Sequence, residues 1–357
     1  MFVSVFTLIT ACQKEKGCTN PLATNYDANA TDDDGSCLFD ASPAYEIPTT
    51  YTFVDASGNS TVDFNGQAQR LEMLTEMNDY IKTANLSGTV LSASVIKDMY
   101  ANNGVDWLDM DALGMDGSSK NLKSKTAAST GTADPAIQAY FESLMDDMAA
   151  LSGTTVADNP TGGPGVGGVV VSTNNPSKMY LQNAFGHEYS QFIEKGLMGA
   201  VFYNQLTDYY FSEGEMDVDN SVVVDADNGK YYTLMEHHWD EAYGYFTTAT
   251  DYPSNGADRF WGKYTADREE LMGSASIIQT AFLTGRAAIS NNDLDTRDAQ
   301  IDIIRTELER VAAATAIHYL NGALENIADH AIRNHELSEA FMFMDALGYG
   351  HNPAYSL

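Results

Sequence analysis

Three short stretches of the chain place an imidazole four residues before a carboxylate or an amide. In the run YYTLMEHHWDEAYGYF, residues 231–246, His237 precedes Glu241. In NHELSEAFMFM, near the C-terminus, His335 precedes Glu339. In FGHEYSQFIEKG, His187 precedes Gln191, with Glu194 three residues further on. The first two copies share the pattern His-x-x-x-Glu-Ala-aromatic-x-aromatic. Positions i and i+4 of a helix lie on one face about one turn apart, so each stretch projects both polar groups to the same side. Imidazole and carboxylate are the ligands that iron and zinc take, and facing helices of a bundle are a common place to assemble them. The chemistry expected is therefore metal binding by His187, Gln191, His237, Glu241, His335 and Glu339 around one shared polar interior. The same spacing also serves a hydrogen-bonded pair that only steadies a helix.

Other chemistries have weaker support. His238 and Glu241 stand at i and i+3, a second spacing compatible with one metal, and Gly244 is expected to leave space on that face. No His-Glu-x-x-His occurs, which removes the usual zinc-protease site. No Gly-x-Ser-x-Gly occurs either. Two rival readings remain. One is a surface module for glycan or peptide, built on the tryptophans and the FWGKY cluster (260–264). The other is a hydrolase with Glu241 or Glu339 as general base.

The elements that must position these groups are helices. Apolar residues at helical spacing predict helices over 66–84, 91–102 and 136–151, then 177–211, 230–248, 266–289, 293–327 and 329–346. Between them lie a Gly-, Ser- and Asp-rich loop (103–134) and a glycine-rich break, TGGPGVGG (161–168), expected to be flexible. Strand signals are few: TTYTFVD and STVDFN around a Ser-Gly-Asn turn predict one β-hairpin within 39–64. The expected fold is mainly α, a helical bundle or two packed bundles with a small N-terminal hairpin.

Charge and cysteines bound the partners. The chain carries 50 acidic against 19 basic residues, a net charge of -31, which repels a phosphate backbone and excludes nucleic acid as a partner. Cations, neutral ligands and basic surfaces remain. Residues 2–9 are apolar, and Ile9-Thr10-Ala11-Cys12 matches a lipobox, so Cys12 is expected to be acylated after removal of a signal spanning 1–12. The remaining two of three cysteines, Cys18 and Cys37, fit a disulfide in an oxidising compartment. They bracket an Asp-rich module, 13–40, in which Asp27, Asn29, Thr31, Asp32 and Asp34 precede or flank a glycine turn. Hard oxygens at alternate positions are what a calcium loop presents. The helical domain is expected over 41–350.

Three resemblances follow from these residues. The module is similar to the short Asp-rich calcium repeats related to thrombospondin type 3. FGHEYSQFIEKG, EHHWDEAYGYF, FWGKY and HELSEAFMFM together resemble a family of bacterial surface lipoproteins known only as a domain of unknown function, over roughly 45–350. More distantly the chain is similar to imelysin-like helical envelope proteins linked to iron uptake. Their Gly-x-His-x-x-Glu motif is not reproduced here, because Gly186 directly precedes His187 and Ser190 stands three residues after it. The resemblance implies a lipid-anchored protein of the bacterial outer envelope. It would bind iron, zinc or a metal complex, with an outer-membrane transporter as partner and contact with the membrane only through the anchor.

Overall fold

The structure, a computed structural model, describes residues 15–19, 23–37, 45–86, 88–110, 112–154 and 161–351. The lipobox and Cys12 lie outside the described residues. The chain divides into two compact units, residues 1–46 and 47–357.

In the first unit β1 (Lys16–Gly17) pairs in parallel with β2 (Asp32–Asp33). Cys18 and Cys37 form a disulfide. Three of the expected calcium residues accept backbone hydrogen bonds. Asp27 Oδ1 accepts from the Asn29 backbone at 2.9 Å, Asp34 Oδ1 accepts from Ser36 N at 2.9 Å, and Thr31 Oγ1 accepts from Glu15 N at 3.0 Å. The hydrogen bonds from Ser36 hold the Asp34 carboxyl below its ordinary range.

The second unit is a bundle of helices with small two-stranded ribbons. Its first helix is α1 (Asn65–Lys82), whose Met73, Leu74, Met77 and Ile81 are fully buried. Next comes α2 (Ala93–Ala101), capped by Ser92 and ended by Asn102 in the left-handed region at φ 49°. α3 (Pro135–Gly153) starts on Asp134, whose carboxylate accepts from Ala136 N, with proline at the first helical position where no N–H is needed. β3 (Gly168–Val171) and β4 (Met179–Gln182) form an antiparallel ribbon. α4 (Tyr189–Leu197) continues into wider π-helical turns over Met198–Tyr203 and Gln205–Tyr209. After α5 (Glu213–Met216) comes a second ribbon, β5 (Val223–Asp225) with β6 (Lys230–Thr233). α6 (Leu234–Phe246) opens on a capping box, in which Thr233 and Glu236 satisfy each other's backbone N–H. α7 (Phe260–Ala266), α8 (Glu269–Met272), α9 (Ser274–Ser290), α10 (Leu294–Glu325) and α11 (His330–Ala346) complete the unit.

α9, α10 and α11 follow one another through short connections, so neighbours run antiparallel, and α10 packs along both the others. α11 in turn packs on α4, while α6 packs on α1 and α9. Two tryptophans anchor the interior: Trp239 Nε1 donates to Phe282 O at 3.1 Å and Trp261 Nε1 to Met198 O at 3.0 Å. At the α6–α9 crossing Arg286, fully buried, donates to Asp240 at 2.9 Å, to Glu236 at 2.7 Å and to the Thr61 carbonyl at 2.9 Å.

The mainly α expectation holds, and the differences are local. The run 177–211 is not one helix. Its first residues pair as β4, and Gly186 at φ 88° takes a conformation no helix contains. Likewise 230–233 is strand before the capping box, and Gly273 at φ 69° separates α8 from α9. The N-terminal hairpin is reduced to an isolated bridge between Val54 and Ser60, because the Asp55 carboxylate closes the turn on Ser57 N and Asn59 N. The glycine-rich break is ordered: Gly162 N donates to Val169 O and Gly165 N to Ala184 O. A Cβ at Gly162 would sit 2.4 Å from the Gly168 carbonyl oxygen, so the chain runs too close there for any side chain.

Candidate functional site: two His–Glu centres

The first centre lies where α4 meets α11. The turn ending at Glu188 leaves His187 exposed, its ring 5.5 Å from that of Phe192. Glu188 points inward and is fully buried. Its N–H donates to Ser338 Oγ on α11 at 3.1 Å. Its Oε1 accepts from Ser190 Oγ at 2.8 Å and Gln191 Nε2 at 3.4 Å, and its Oε2 lies 2.7 Å from His335 Nδ1. A carboxylate only accepts, so Nδ1 carries a proton. The other ring nitrogen, Nε2, faces Glu339 Oε2 at 3.3 Å. Tyr180, on β4, stacks on the imidazole at 4.2 Å with planes 8° apart.

Lys195 extends the centre. Its ammonium lies 2.6 Å from Glu194 and 3.6 Å from Glu339 Oε1, and Lys82 reaches Glu194 at 3.0 Å. Burial opposes ionisation of Glu194, but the two ammonium groups hold its carboxyl at about 2. Three carboxylates (Glu188, Glu194, Glu339) thus face two lysines, a net of -1 that a protonated His335 cancels. Burial works against that proton, yet Glu188 and Glu339 raise the His335 pKa above the ordinary imidazole value.

The second centre lies on α6. Glu241 Oε1 accepts from Gln67 Nε2 on α1 at 2.8 Å and from the Tyr210 hydroxyl at 3.1 Å. His237 Nε2 stands 3.9 Å from Glu241 Oε2, beyond hydrogen-bond range, and His237 Nδ1 is buried without a partner. Tyr232, on β6, stacks on His237 at 4.5 Å with planes 12° apart, repeating the tyrosine-on-imidazole arrangement of the first centre. His238 turns away from Glu241 to Glu215, 2.6 Å from its carbonyl and 3.1 Å from its carboxylate. Lys125 lies over the Tyr209 and Tyr210 rings, and burial with help from Arg70 lowers its pKa to about 8. Gly244 leaves no open space on this face: its missing Cβ is where Phe64 and Gln67 of the α1 entrance pack, at 2.6 and 2.8 Å.

The six expected ligands therefore divide. His335, Glu339 and Gln191 meet at the first centre, His237 and Glu241 at the second, and His187 at neither. Glu188 is the residue that sequence spacing missed, because His187 precedes the helix and the i, i+4 rule begins only at Tyr189. Among the described residues no group of three or more His, Cys, Asp or Glu side chains is placed to hold a metal ion. The aromatic residues offered for glycan stacking are core: Trp239 and Trp261 are fully buried, and Trp107 is 5% exposed.

Residues 48–356 match the family described as a domain of unknown function, DUF4856. The chain belongs to that family. Both centres lie within the DUF4856 domain, and the disulfide module precedes it. Neither the curated proteins nor the solved structures contain a match to the chain. Among the described residues no helix is long and apolar enough to cross a membrane.

Proposed function

We propose that this DUF4856 domain binds a metal ion or metal complex at the α4–α11 centre, with iron or zinc as the metal and iron acquisition at the cell envelope as the process served. The observation that carries this reading is the His335–Glu339 pair, 3.3 Å apart across Nε2 and Oε2. Two ligands about 2.0–2.2 Å from one tetrahedral ion stand roughly 3.4 Å apart, so the pair needs little rearrangement to share a cation. A carboxylate on the other ring nitrogen, here Glu188, is what fixes the tautomer and aim of a metal-bound histidine. Gln191 Oε1 is buried with no partner and offers a further oxygen beside Glu188. His335 would give up its Nε2 proton on binding, and Lys195 competes for Glu339, so affinity rises with pH.

The distant similarity to imelysin-like proteins supports the iron assignment, and the lipobox at Cys12 supports anchoring to the bacterial outer envelope, with an outer-membrane transporter as partner. Calcium in the N-terminal module, on Asp27, Asn29, Thr31, Asp32 and Asp34, is part of the same reading. Metal content and calorimetric titration with Zn²⁺ and Fe²⁺ test it, on the wild type, His335→Ala and Glu339→Gln, with His237→Ala as the comparison. Binding lost in the first two variants and kept in the third is expected. Equal stoichiometry and affinity in all four proteins would sink the assignment.

A further inference from the structure

A cleft of about 560 Å³ opens between the C-terminal half of α1, the outer face of α2 and the loop that follows α2. It is distinct from both His–Glu centres and shares no lining residue with them. Its apolar surface comes from Tyr80, Val95, Met99, Val105 and Leu108. Four acidic side chains, Glu76, Asp79, Asp98 and Asp106, line it, and no Lys, Arg or His does.

The loop is built to hold its shape. Glu76, 9% exposed, spends both carboxylate oxygens on the backbone N–H groups of Leu108 and Asp109, each at 2.8 Å. Trp107 is buried and donates through Nε1 to Asn102 Oδ1 at 2.8 Å. Asp109, at φ 46°, accepts from the N–H groups of Leu113, Gly114 and Met115. Between these fixed points Leu108 is 75% exposed at the cleft and Met110, two residues on, is 77% exposed. The braced loop holds the exposed Leu108 side chain against an apolar hollow, so the apolar surface is a continuous groove of the kind that marks interaction sites. Two of the acids are available, while Asp98 Oδ1 accepts from Asn103 Nδ2 at 2.9 Å and keeps its other oxygen for a cation. Among the described residues Asp79 and Asp106 have no ion-pair partner, and the nearby lysines are taken, Lys82 by Glu194 and Lys97 by Asp146.

We propose that this cleft docks a basic segment of a partner protein, one with an apolar side chain flanked by Lys or Arg. The apolar anchor fills the hollow against Met99, Val95 and Leu108, and the flanking cations meet Asp79, Asp98 and Asp106. Charge complementarity of this kind fixes the register of the partner and speeds its encounter. An anionic partner is repelled, and a wholly polar cation leaves the hollow unfilled. The inference is independent of metal binding at α4–α11.

The test uses the full chain and three probes in fluorescence anisotropy: a labelled Leu-Lys peptide, the same peptide with Glu for Lys, and the same with Gly for Leu. Spermidine serves as competitor. The Leu-Lys peptide is expected to bind, and both control peptides to bind at least tenfold more weakly. The double variant Asp79→Asn with Asp106→Asn and the single variant Leu108→Ser should each weaken it about tenfold. Both sites are exposed, so folding is not at stake, and an unchanged circular dichroism melt verifies this. Glu270→Gln with Asp295→Asn removes the same charge from the exposed surface elsewhere and should leave binding unchanged. An equal loss in that control pair shows that only the bulk charge attracts the peptide, and overturns the proposal. Binding of the Leu-Lys peptide unaffected by the cleft variants overturns it too, as does full displacement by spermidine at equal concentration.

Discussion

Glu188→Gln isolates the group on which the α4–α11 centre turns. The substitution keeps the size of a buried side chain and leaves one oxygen as acceptor, so no cavity opens. What changes is charge: the imidazolium of His335 loses the carboxylate 2.7 Å from its Nδ1. A hydrogen bond to a charged group contributes about 1.5–3 kcal/mol, and that is the loss expected wherever His335 is protonated. The sign of the pH dependence follows from the raised His335 pKa. A group whose folded pKa lies above its unfolded value, about 6.5 for His, contributes stability that is fully present below that value and fades as pH rises through the folded pKa. The penalty of Glu188→Gln is therefore largest near pH 6. It shrinks as pH rises through the folded His335 pKa, because the neutral imidazole no longer needs the carboxylate and the new amide can donate to Nδ1. Urea denaturation of wild type and variant at pH 6, 7.5 and 9 measures it. A penalty that is flat across this range, or grows with pH, refutes the claim that His335 is held as a cation by Glu188.

Two further predictions concern the frame. Arg286→Met strands Asp240 and Glu236 in the interior and should cost about 3–5 kcal/mol in thermal or urea unfolding, whereas Lys263→Met, on a pair whose two side chains are each 41% exposed, should cost about 1 kcal/mol or less. Gly285→Ala would put a Cβ 2.2 Å from the Trp239 ring, so it should destabilise by about 1–3 kcal/mol and shift the tryptophan fluorescence of the folded state, despite the better helix propensity of alanine.

Much of the frame was legible because it rests on local signals. Long apolar periodicity placed α1, α3, α10 and α11 within a few residues, whereas the start of α6 at the Thr233–Glu236 capping box was missed, helix being expected from residue 230. The ribbons were not legible. Gly168–Val171 and Met179–Gln182 are strands only because they pair with each other, a long-range choice that a single window does not contain. The same limit explains the site. That His335 has Glu339 one turn away is written in the spacing; that Glu188 reaches His335 across 147 residues is not. The neighbour of the expected residue carries the role because α4 begins at Tyr189, and a shift of one position before the first turn decides which side chain faces inward.

The segment from Glu188 to Phe211 serves both centres, and its widened turns explain how. An ordinary α-helix repeats its face every three or four residues, which is how Gln191, Glu194 and Lys195 all reach the α11 side. From Met198 to Tyr209 the π-helical turns insert extra residues per turn, so the face rotates relative to the preceding helix and Tyr210 arrives against α6 and Glu241 instead. Wide turns misalign backbone carbonyls, and side chains satisfy them here: Trp261 and Arg305, from other helices, donate to Met198 O and to the carbonyls of Thr207 and Phe211, and within the segment Thr207 Oγ1 donates to Tyr203 O. The irregular helix is thus held by specific partners and is no local weakness. It sets one closed, charge-balanced centre and one half-open aromatic centre on a single stretch of chain. In the closed centre both nitrogens of the His335 ring face a carboxylate, Glu188 at 2.7 Å and Glu339 at 3.3 Å. In the open one His237 Nδ1 is buried without a partner, while Lys125, its pKa lowered to about 8 by burial, donates to the Tyr210 hydroxyl at 3.3 Å, so the two centres differ in how their polar groups are committed.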